Sequence, residues 1–280
     1  MPTVFVNPNL PNYFLEAPDV RVGATARSYV PEYEAGQVIT FPNLKLDIDH
    51  GFWAALDSRH PGLKKMATAL RPDLSFNRPA FLTKATANGV APSLADRVAD
   101  HMARLYDAVM PAYGDIFSGY DFETRRSVWR LTTTLNENLH IDVYKDEHPT
   151  HFGRLFINLD NQPRVWTTSW RIDDIMRMQA ERFPRELLRN GSAAEIWMEL
   201  NGMTFGRSSL EWWSTQPRHV IYFEPGDVWA VDSRQVAHQI FYGRRAVSID
   251  FTVTRDSMRN PSRHYLAMAE SFRASMLQPA

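Results

Sequence analysis

Two side chains that can bind a metal ion stand two residues apart in segment 138–145, NLHIDVYK. Apolar and polar residues alternate through this segment, which is typical of a β-strand with one buried face. Because successive side chains of a strand point to opposite faces, His140, Asp142 and Tyr144 share the polar face. An imidazole and a carboxylate that point the same way can bind one metal ion. His140 and Asp142 are therefore candidate metal ligands, and Tyr144 is a candidate substrate contact.

His238 supplies a third candidate ligand much later in the chain. Segment 224–227, EPGD, predicts a turn; the apolar strand DVWAVDS begins at its last residue, and His238 lies on the next predicted strand, VAHQIFYG. His-x-Asp alone is weak evidence in a chain with nine histidines, but its combination with a Pro-Gly turn and a later histidine is specific. Two histidines and one carboxylate leave three positions of an iron(II) ion open for a co-substrate and dioxygen. The pattern therefore predicts a metal centre for oxygen chemistry.

Three other histidines, His148, His151 and His219, have a suitable residue type for metal binding. No short spacing pairs any of them with a carboxylate on a predicted strand. We therefore predict that they are loop or surface histidines.

The first 125 residues combine Pro-rich extended stretches with helices. The clearest helical pattern runs from 93 to 110, where apolar residues fall on one stripe. Ser93 is the predicted N-cap with Asp96 in the capping-box position, and Pro111 is predicted to end the helix. We expect this helix to pack against a sheet.

From about residue 126 the hydrophobic period changes from helical to alternating. The segments SVWRLTTTL, NLHIDVYK, GRLFINLD and PRVWTTSW follow one another with short polar connections, which predicts an antiparallel meander. A second group consists of RHVIYFE, DVWAVDS, VAHQIFYG and RAVSIDFTVT, and QVITF adds a strand near the N-terminus. Eight or nine such strands are enough for a two-sheet jelly roll. The predicted fold class is therefore mainly β with helices (α+β), with the jelly-roll core over 126–254.

Helices are also predicted within and after the strand-rich region. An insertion spans roughly 172–215, with Asp173 or Asp174 as the cap of its first helix and Gly191 near the end of that helix. The tail, 255–280, carries a helix that is predicted to cover the core.

Composition limits the remaining functions. With 280 residues, 44% of them hydrophobic, the chain is long enough for one large core, and we expect a single domain over 1–280. The net charge of −1 gives no broad field for nucleic acid. The lack of cysteine excludes disulfides, thiolate nucleophiles and cysteine-type zinc sites. No basic start with an apolar run, and no stretch near ~20 apolar residues, is present. We predict a cytoplasmic chain that does not span a membrane, with peripheral membrane contact left open.

The ordered pattern of His-x-Asp, Pro-Gly turn and histidine resembles the double-stranded β-helix of the iron(II)- and 2-oxoglutarate-dependent dioxygenases, over about residues 127–254. The resemblance implies iron(II) as the cofactor, 2-oxoglutarate as the co-substrate and dioxygen as the oxidant. It also implies a basic residue on a neighbouring strand that holds the distal carboxylate of 2-oxoglutarate.

Arg244 is the first candidate for that basic residue. On the strand after the distal histidine, Arg244 and Ser248 share the polar face, and a guanidinium can hold a carboxylate with two hydrogen bonds. Arg244 lies only six residues beyond that histidine, which is closer than the family usually places it. Arg154 is a rival, since it shares the polar face of GRLFINL with Asn158, and Arg164 is a weaker rival.

A longer segment, HIDVYKDEHPTHFGRLFINLDNQPRVWTTSW (140–170), resembles the Kdo hydroxylase family. It combines His-x-Asp, a polar loop, an arginine that leads into a strand with phenylalanine and asparagine, and then Gln-Pro-Arg-Val-Trp. The resemblance implies hydroxylation of the sugar acid Kdo, in the inner core of lipopolysaccharide, by iron, 2-oxoglutarate and oxygen. Arg164 and Trp166, which share one strand face, would then contact the anionic sugar.

Other functions remain open from the sequence. A related oxygenase could act on an amino acid or another small carboxylate, and the outcome could be hydroxylation, desaturation or ring closure. The jelly roll could instead be a non-catalytic carbohydrate-binding protein, or a cupin-type isomerase, which would usually bring further histidines close to the first pair. The insertion is rich in tryptophan, and Trp197, Trp212 and Trp213 are candidates either for a substrate lid or for core packing.

Overall fold

The described structure combines two β-sheets with helices, in agreement with the predicted α+β class. It is a computed structural model that describes residues 2–23, 27–56, 65–71, 75–130, 134–135, 138–143, 150–206 and 215–277. Tyr144, His148, Trp212 and Trp213 lie outside these ranges, so their predicted roles remain predictions. Within the described ranges, no helix is both long and apolar enough to cross a bilayer.

One sheet has five strands in the order β1-β9-β8-β11-β6, and every neighbouring pair is antiparallel. Its strands are β1 (Thr3–Phe5), β6 (Thr134–Leu135), β8 (Arg164–Arg171), β9 (His219–Phe223) and β11 (Val236–Gly243). The central pair, β8 and β11, brings His238 opposite Thr168 and Ile240 opposite Trp166.

The other sheet has seven strands in the order β2-β3-β10-β7-β12-β5-β4. Only the β2–β3 pair is parallel among its described pairings. Its strands are β2 (Phe14–Glu16), β3 (Val38–Thr40), β4 (Lys65–Ala69), β5 (Phe122–Arg130), β7 (Thr150–Asn158), β10 (Val228–Ala230) and β12 (Ala246–Thr254).

The predicted meander is wrong, because none of the strands assigned to it is paired with the next one in the described sheets. Strand β5 pairs with β4 and β12, β7 pairs with β10 and β12, and β8 pairs with β9 and β11. The chain therefore passes from one sheet to the other between β7 and β8. Alternation of apolar residues identifies a strand but does not identify its partner.

Segment 138–143 was predicted as a full strand, but it makes only an isolated antiparallel bridge between His140 and His238. The alternation of its faces nevertheless holds. Leu139 and Ile141 are buried in a cluster with the inserted and C-terminal helices, whereas His140 and Asp142 are half-buried on the other side.

Helices lie before the main strands, and the longest of them packs against the seven-stranded sheet. They are α1 (Val30–Glu34), α2 (His50–Ala55), α3 (Arg78–Ala87) and α4 (Pro92–Ile116). The predicted capping box of α4 is wrong: Ala91 is the N-cap and Pro92 occupies the first turn, so no side chain caps the helix. Pro111 does not end the helix either. Burial of Tyr113 and Ile116 in the core offsets the hydrogen bond that a proline removes.

The predicted helical insertion follows β8, and the predicted C-terminal helix follows β12. The helices are α5 (Ile172–Gln179), α6 (Arg185–Asn190), α7 (Ala193–Phe205) and α8 (Tyr265–Leu277). Asp173 and Asp174 lie in the first turn of α5 but do not cap it, and Gly191 follows the second inserted helix rather than the first. Trp197 is buried, which favours core packing over a lid.

Three apolar clusters hold these elements together. The first packs α1 to α4 on the seven-stranded sheet, and the second joins α5 to α8. The third lies between the two sheets and contains Trp166, Phe223 and Trp229, with Phe156 packed against them. Close packing between the sheets fixes the distance between the strands that carry the site.

His151 and His219 were predicted as loop or surface histidines, and this is wrong, since both are buried on strands. The Nδ1 atom of His219 accepts a hydrogen bond from the Asn7 backbone at 3.0 Å, which fastens the N-terminal arm. His151 lies 3.1 Å from the Tyr120 hydroxyl through Nε2, and its Nδ1 is 3.9 Å from Asp232. These partners satisfy polar atoms that burial would otherwise leave without hydrogen bonds.

Stability is expected to fall between pH 6.5 and pH 4, in part because of His151. Burial lowers the pKa of His151 to about 4, so the unfolded chain takes up a proton at a higher pH than the folded chain does. The unfolded state binds more protons within this window, and stability therefore decreases as the pH falls. His151→Gln is expected to remove up to roughly 3 kcal/mol of this pH dependence, as measured by urea unfolding at pH 7 and pH 4.5. An equal loss of unfolding free energy between pH 7 and pH 4.5 in the wild-type protein and in His151→Gln would contradict the prediction.

Candidate metal centre and adjoining cavity

The structure brings the three predicted ligands, His140, Asp142 and His238, to one place. Asp142 Oδ1 lies 3.5 Å from His140 Nε2 and 4.0 Å from His238 Nε2. One ligand atom from each residue lies within 4.8 Å of the others, and no other such group occurs in the described ranges. The three donors are therefore close enough to surround a single ion.

Backbone hydrogen bonds position the two histidines relative to one another. The His140 amide donates to the His238 carbonyl at 3.0 Å, and the His238 amide donates to the His140 carbonyl at 2.8 Å. The Asp142 amide donates to the Ser233 carbonyl at 2.8 Å, while the Ile141 amide donates to Asn201 Oδ1 at 2.9 Å on helix α7. Segment 138–143 is thus held from both sides although it is too short to form a regular strand.

Each histidine ring is oriented by a backbone carbonyl. His140 Nδ1 lies 2.6 Å from the Asn138 carbonyl, and His238 Nδ1 lies 3.1 Å from the Val236 carbonyl. A carbonyl only accepts, so Nδ1 carries the proton and Nε2 presents a lone pair to the metal position. Burial, with help from the neighbouring His140, lowers the pKa of His238 to about 4. The imidazole is therefore neutral at neutral pH, as metal binding requires.

The two oxygens of Asp142 have different surroundings. Oδ1 faces the histidines, whereas Oδ2 accepts hydrogen bonds from Ser233 Oγ at 2.6 Å and from Arg154 Nη1 at 2.6 Å. Burial alone would raise the pKa of Asp142, but its interaction with His140 and the charge of Arg154 hold this pKa well below its usual range. The carboxylate is therefore ionised, with one oxygen directed towards the metal position.

Arg154 extends this arrangement to strand β12. Its Nε donates to Asp250 Oδ1 at 2.6 Å, and Ser248 Oγ donates to the same oxygen at 2.7 Å. The Arg154 guanidinium also contacts the Ser233 hydroxyl. Arg154 therefore orients Asp142, which differs from its predicted role as the anchor of 2-oxoglutarate.

A cavity of about 230 Å³ adjoins the three ligands and extends between the two sheets. Besides the ligands, its lining consists of Val143, Arg154, Phe156, Arg164, Trp166, Ile240, Ala246, Val247, Ser248 and Asp250. The predicted polar face of β12 is thus turned towards the cavity. Ser248, a predicted co-substrate contact, lies in this lining.

Arg164 is the arginine that reaches the cavity across the neighbouring strand. It begins β8 and is only 3% exposed. Its side chain passes over Gly243, where an added Cβ would lie only 2.8 Å from Arg164 Cγ and closer still to Nη1. A side chain at position 243 would therefore displace the guanidinium, so glycine permits this approach.

The structure does not bring Arg244, the first predicted anchor, to the cavity. Its Nε and Nη2 donate to the two oxygens of Asp160 at 2.6 and 2.9 Å, and Nη2 also donates to Asn161 at 3.0 Å. Position 244 lies in the two-residue turn between Gly243, which ends β11, and Ala246, which begins β12, so the side chain leaves the strand's polar face towards the turn after β7. Because Arg244 lies only six residues after His238, it falls before the strand and not on its cavity-facing side.

Asn158 was also predicted to contact the co-substrate, and the structure places it elsewhere. Its side-chain amide donates to the Gln162 and Phe223 carbonyls, each at 3.0 Å, and its oxygen accepts from the Asp160 amide at 3.1 Å. Asn158 shares its strand face with Arg154 and Phe156, which line the cavity. It is, however, the last residue of β7, where it stabilises the following turn.

Trp166 lines the cavity beside the metal position. Its ring stacks on His238, with centroids 5.4 Å apart and an interplanar angle of 23°. The residue is 2% exposed, and its Nε1 is a buried donor for which the described residues supply no hydrogen-bond acceptor. Such a donor costs about 1–3 kcal/mol unless a ligand accepts from it. The cavity therefore suits a ligand with an acceptor next to His238.

Two polar residues of the site were not predicted. Ser233 reaches Asp142 from the turn before β11, and Asp250 pairs with Arg154 from β12. Asp250 stood on the predicted polar face of β12, so strand parity could have identified it. No sequence signal identified Ser233, because its contact depends on the turn between β10 and β11.

The donor set fits a divalent iron ion. Two neutral imidazoles and one carboxylate are the facial set used by non-haem iron(II) sites, and they leave open positions on the cavity side. The outer contacts to Nδ1 and to Asp142 Oδ2 are those that usually orient metal ligands.

Comparison with known proteins agrees with this geometry. The family model for 3-deoxy-D-manno-oct-2-ulosonic acid (Kdo) hydroxylase matches residues 19–275. Solved structures of the Kdo hydroxylase KdoO, described as a non-haem Fe(II) α-ketoglutarate-dependent dioxygenase, have the same overall fold. The complex with succinate and Fe(III) and the complex with α-ketoglutarate and Fe(III) each have a TM-score of 0.59 and 19% identity, over 86% of this chain and 87% of that chain. The cobalt(II) complex has a TM-score of 0.56 and 18% identity, over 86% of this chain and 88% of that chain.

No curated protein sequence matches the chain. The family match nevertheless extends over most of the sequence and includes all three candidate ligands. The chain therefore belongs to the Kdo hydroxylase family.

Proposed function

We propose that this protein is an iron(II)- and 2-oxoglutarate-dependent oxygenase that hydroxylates the sugar acid Kdo. The observation that carries the proposal is the convergence of His140, Asp142 and His238 beside a cavity that also contains a buried arginine. Family membership supports the same activity. A non-catalytic carbohydrate-binding protein would not need these three side chains to converge.

The charges around the cavity support a dicarboxylate co-substrate. Its lining has two arginines, Arg154 and Arg164, and two carboxylates, Asp142 and Asp250, while histidines that bind a metal ion do so as neutral imidazoles. The cavity therefore has no net charge by itself, and a divalent iron would give it two positive charges. A dianion such as 2-oxoglutarate restores neutrality, which matters because unpaired charge is costly in a buried site.

Arg164, rather than Arg244 or Arg154, is the proposed anchor for the distal carboxylate of 2-oxoglutarate. Arg164 and Arg154 both line the cavity, whereas Arg244 pairs with Asp160 outside it. Of the two cavity arginines, Arg154 already orients the metal ligand Asp142. A planar guanidinium can donate two parallel hydrogen bonds to a carboxylate. The Trp166 indole supplies a further donor.

Each remaining residue of the site has a physical role in this proposal. His140, Asp142 and His238 hold the metal, and Arg154 with Ser233 keeps Asp142 oriented so that one oxygen faces it. With iron, 2-oxoglutarate and dioxygen bound, the centre supplies the oxidation of a substrate C–H bond coupled to formation of succinate and carbon dioxide. Phe156, Trp166 and Ile240 provide apolar walls that limit water near the reacting atoms.

The fold that carries this site is, in our proposal, a double-stranded β-helix. The alternation of the chain between the two sheets and the placement of the ligands beside β11 support this assignment. We propose further that residues 1–280 act as a single oxygenase domain, because residues of both sheets line the cavity.

The proposed activity is tested by aerobic incubation of the protein with iron(II), 2-oxoglutarate and a lipopolysaccharide inner-core oligosaccharide that ends in Kdo. The expected result is succinate, together with a gain of one oxygen on Kdo by mass spectrometry, and both should be lost when a chelator removes the metal. A protein that binds neither iron(II) nor 2-oxoglutarate would refute the oxygenase assignment. Succinate formation without oxygenation of Kdo, but with an amino acid or another small carboxylate as substrate, would refute the sugar assignment alone.

A further inference from the structure

A second cavity, of about 600 Å³, lies on the outer side of the metal position. It shares His140 and Val143 with the inner cavity, so the two cavities meet at a metal ligand. We call it the α7 groove, and its lining is His140, Ile141, Val143, Leu187, Glu195, Met198, Glu199, Asn201 and Gly202. Helix α7 forms its outer wall, and the Asn201 contact with Ile141 fixes that helix relative to the metal ligands.

The groove combines acidic and apolar side chains. Glu195 and Glu199 lie one turn apart on α7, and no arginine or lysine occurs among its described lining residues. Met198 is 46% exposed, so a large apolar side chain faces the groove instead of the core. Carboxylates accept hydrogen bonds from hydroxyl groups, and an apolar side chain can pack against the C–H face of a sugar ring.

Gly202 lines the groove without a side chain. It lies inside helix α7, where glycine is less stable than alanine by about 0.5–1 kcal/mol. The helix tolerates this cost at the position that lines the groove. A larger residue there would add a side chain to the lining of the groove, so we expect it to reduce the space for a ligand.

We propose that the α7 groove binds the hydroxyl-bearing face of the sugar substrate and that the substrate carboxylate points away from helix α7. This inference rests on the proposed function. The inner cavity is the smaller one and is assigned to 2-oxoglutarate, so a sugar needs a second space next to the metal. Glu195 and Glu199 would repel a carboxylate, whereas they attract hydroxyl donors. The hydroxyl-bearing face therefore lies against the helix.

Gly202→Leu tests whether the groove is used, because leucine fills the space while favouring the helix. The expected result is at least about a tenfold loss of kcat/KM for the Kdo oligosaccharide, equivalent to about 1.4 kcal/mol, with an unchanged dissociation constant for 2-oxoglutarate. Gly114→Leu is the matched control, since Gly114 is also helical but an added Cβ there meets nothing within 4 Å. The control should retain wild-type values for both ligands.

The result for Gly202→Leu separates the groove from the proposed function. Wild-type protein that binds no 2-oxoglutarate would refute the function itself. Active wild-type protein together with normal turnover by Gly202→Leu would overturn the groove proposal alone. A parallel loss of 2-oxoglutarate affinity, or an equal loss in the Gly114 control, would overturn it as well, because the groove would then not be a separate substrate site.

Glu199→Gln tests the orientation of the sugar through the sign of its effect. Loss of a charged acceptor should raise KM for the Kdo oligosaccharide several-fold and leave the affinity for 2-oxoglutarate unchanged. Relief of repulsion would lower KM instead, and that outcome would place the substrate carboxylate against α7 and overturn the proposed orientation. An unchanged KM would also overturn it.

Discussion

His238→Ala is expected to abolish succinate formation and to weaken metal binding by more than the roughly 10–100-fold that loss of an outer contact to a metal ligand costs. The substitution removes one of the three candidate protein donors. His140 and Asp142 alone supply only two of the three ligands of a facial site. Burial keeps the His238 imidazole neutral, so the wild-type ligand binds metal without first losing a proton. Isothermal titration with iron(II) under anaerobic conditions, and with cobalt(II), measures the affinity.

Two further variants give this experiment a graded comparison. His101→Ala removes a histidine from helix α4, outside the cavity lining, and should leave metal affinity unchanged. Arg154→Met removes one hydrogen-bond donor from Asp142 Oδ2 and should give an intermediate loss of affinity, because the ligand remains but its orientation is less fixed. If His238→Ala binds metal as tightly as His101→Ala, His238 is not a ligand.

The metal donors could be predicted because their geometry depends on local rules. Side chains of an extended segment alternate whether the segment makes a full ladder or a single bridge, so His140 and Asp142 share one side in either case. His238 could be chosen as the third ligand because it follows a Pro-Gly turn and an apolar strand, and this order can be read from the sequence. Neither the shared side of His140 and Asp142 nor the choice of His238 required knowledge of which strands pair.

The roles of the arginines could not be predicted, because each depends on a partner that is distant in sequence. Arg244 pairs with Asp160, which lies 84 residues earlier, and Arg154 pairs with Asp250, which lies 96 residues later. The alternation of side chains along a strand predicts which face an arginine occupies. It does not predict whether the guanidinium binds a carboxylate of the protein or a ligand.

The errors in the fold have a similar origin. Alternation predicted most strands, but the meander was wrong because β5, β7 and β8 take their partners from other strands of the two sheets and not from one another. Pro111 was expected to end a helix on local grounds, yet packing of the following turn on the core continues α4 to Ile116. Residue type likewise suggested exposed histidines, whereas His151 and His219 obtain buried hydrogen-bond partners from other strands and from the N-terminal arm.

Arg164→Met is expected to weaken binding of 2-oxoglutarate by about 2–5 kcal/mol, on the order of thirtyfold or more in the dissociation constant. Methionine keeps an unbranched side chain in the cavity but removes the charge-assisted hydrogen bonds to the distal carboxylate. Metal binding should change little, because the hydrogen bonds that orient the three ligands involve the carbonyls of Asn138 and Val236, Ser233 and Arg154. Anaerobic titration of the iron-loaded protein with 2-oxoglutarate measures the effect.

Arg244→Met is the matched control, since it removes an arginine that Asp160 holds outside the cavity. Gly243→Val provides an independent route to the same result: its side chain would occupy the space through which Arg164 passes, so 2-oxoglutarate affinity should fall although Arg164 itself is intact. A loss of affinity in Arg244→Met, with normal binding by both Arg164→Met and Gly243→Val, would return the anchor to Arg244. A similar loss of 2-oxoglutarate affinity in Arg164→Met and Gly243→Val would instead support the Arg164 guanidinium as the anchor.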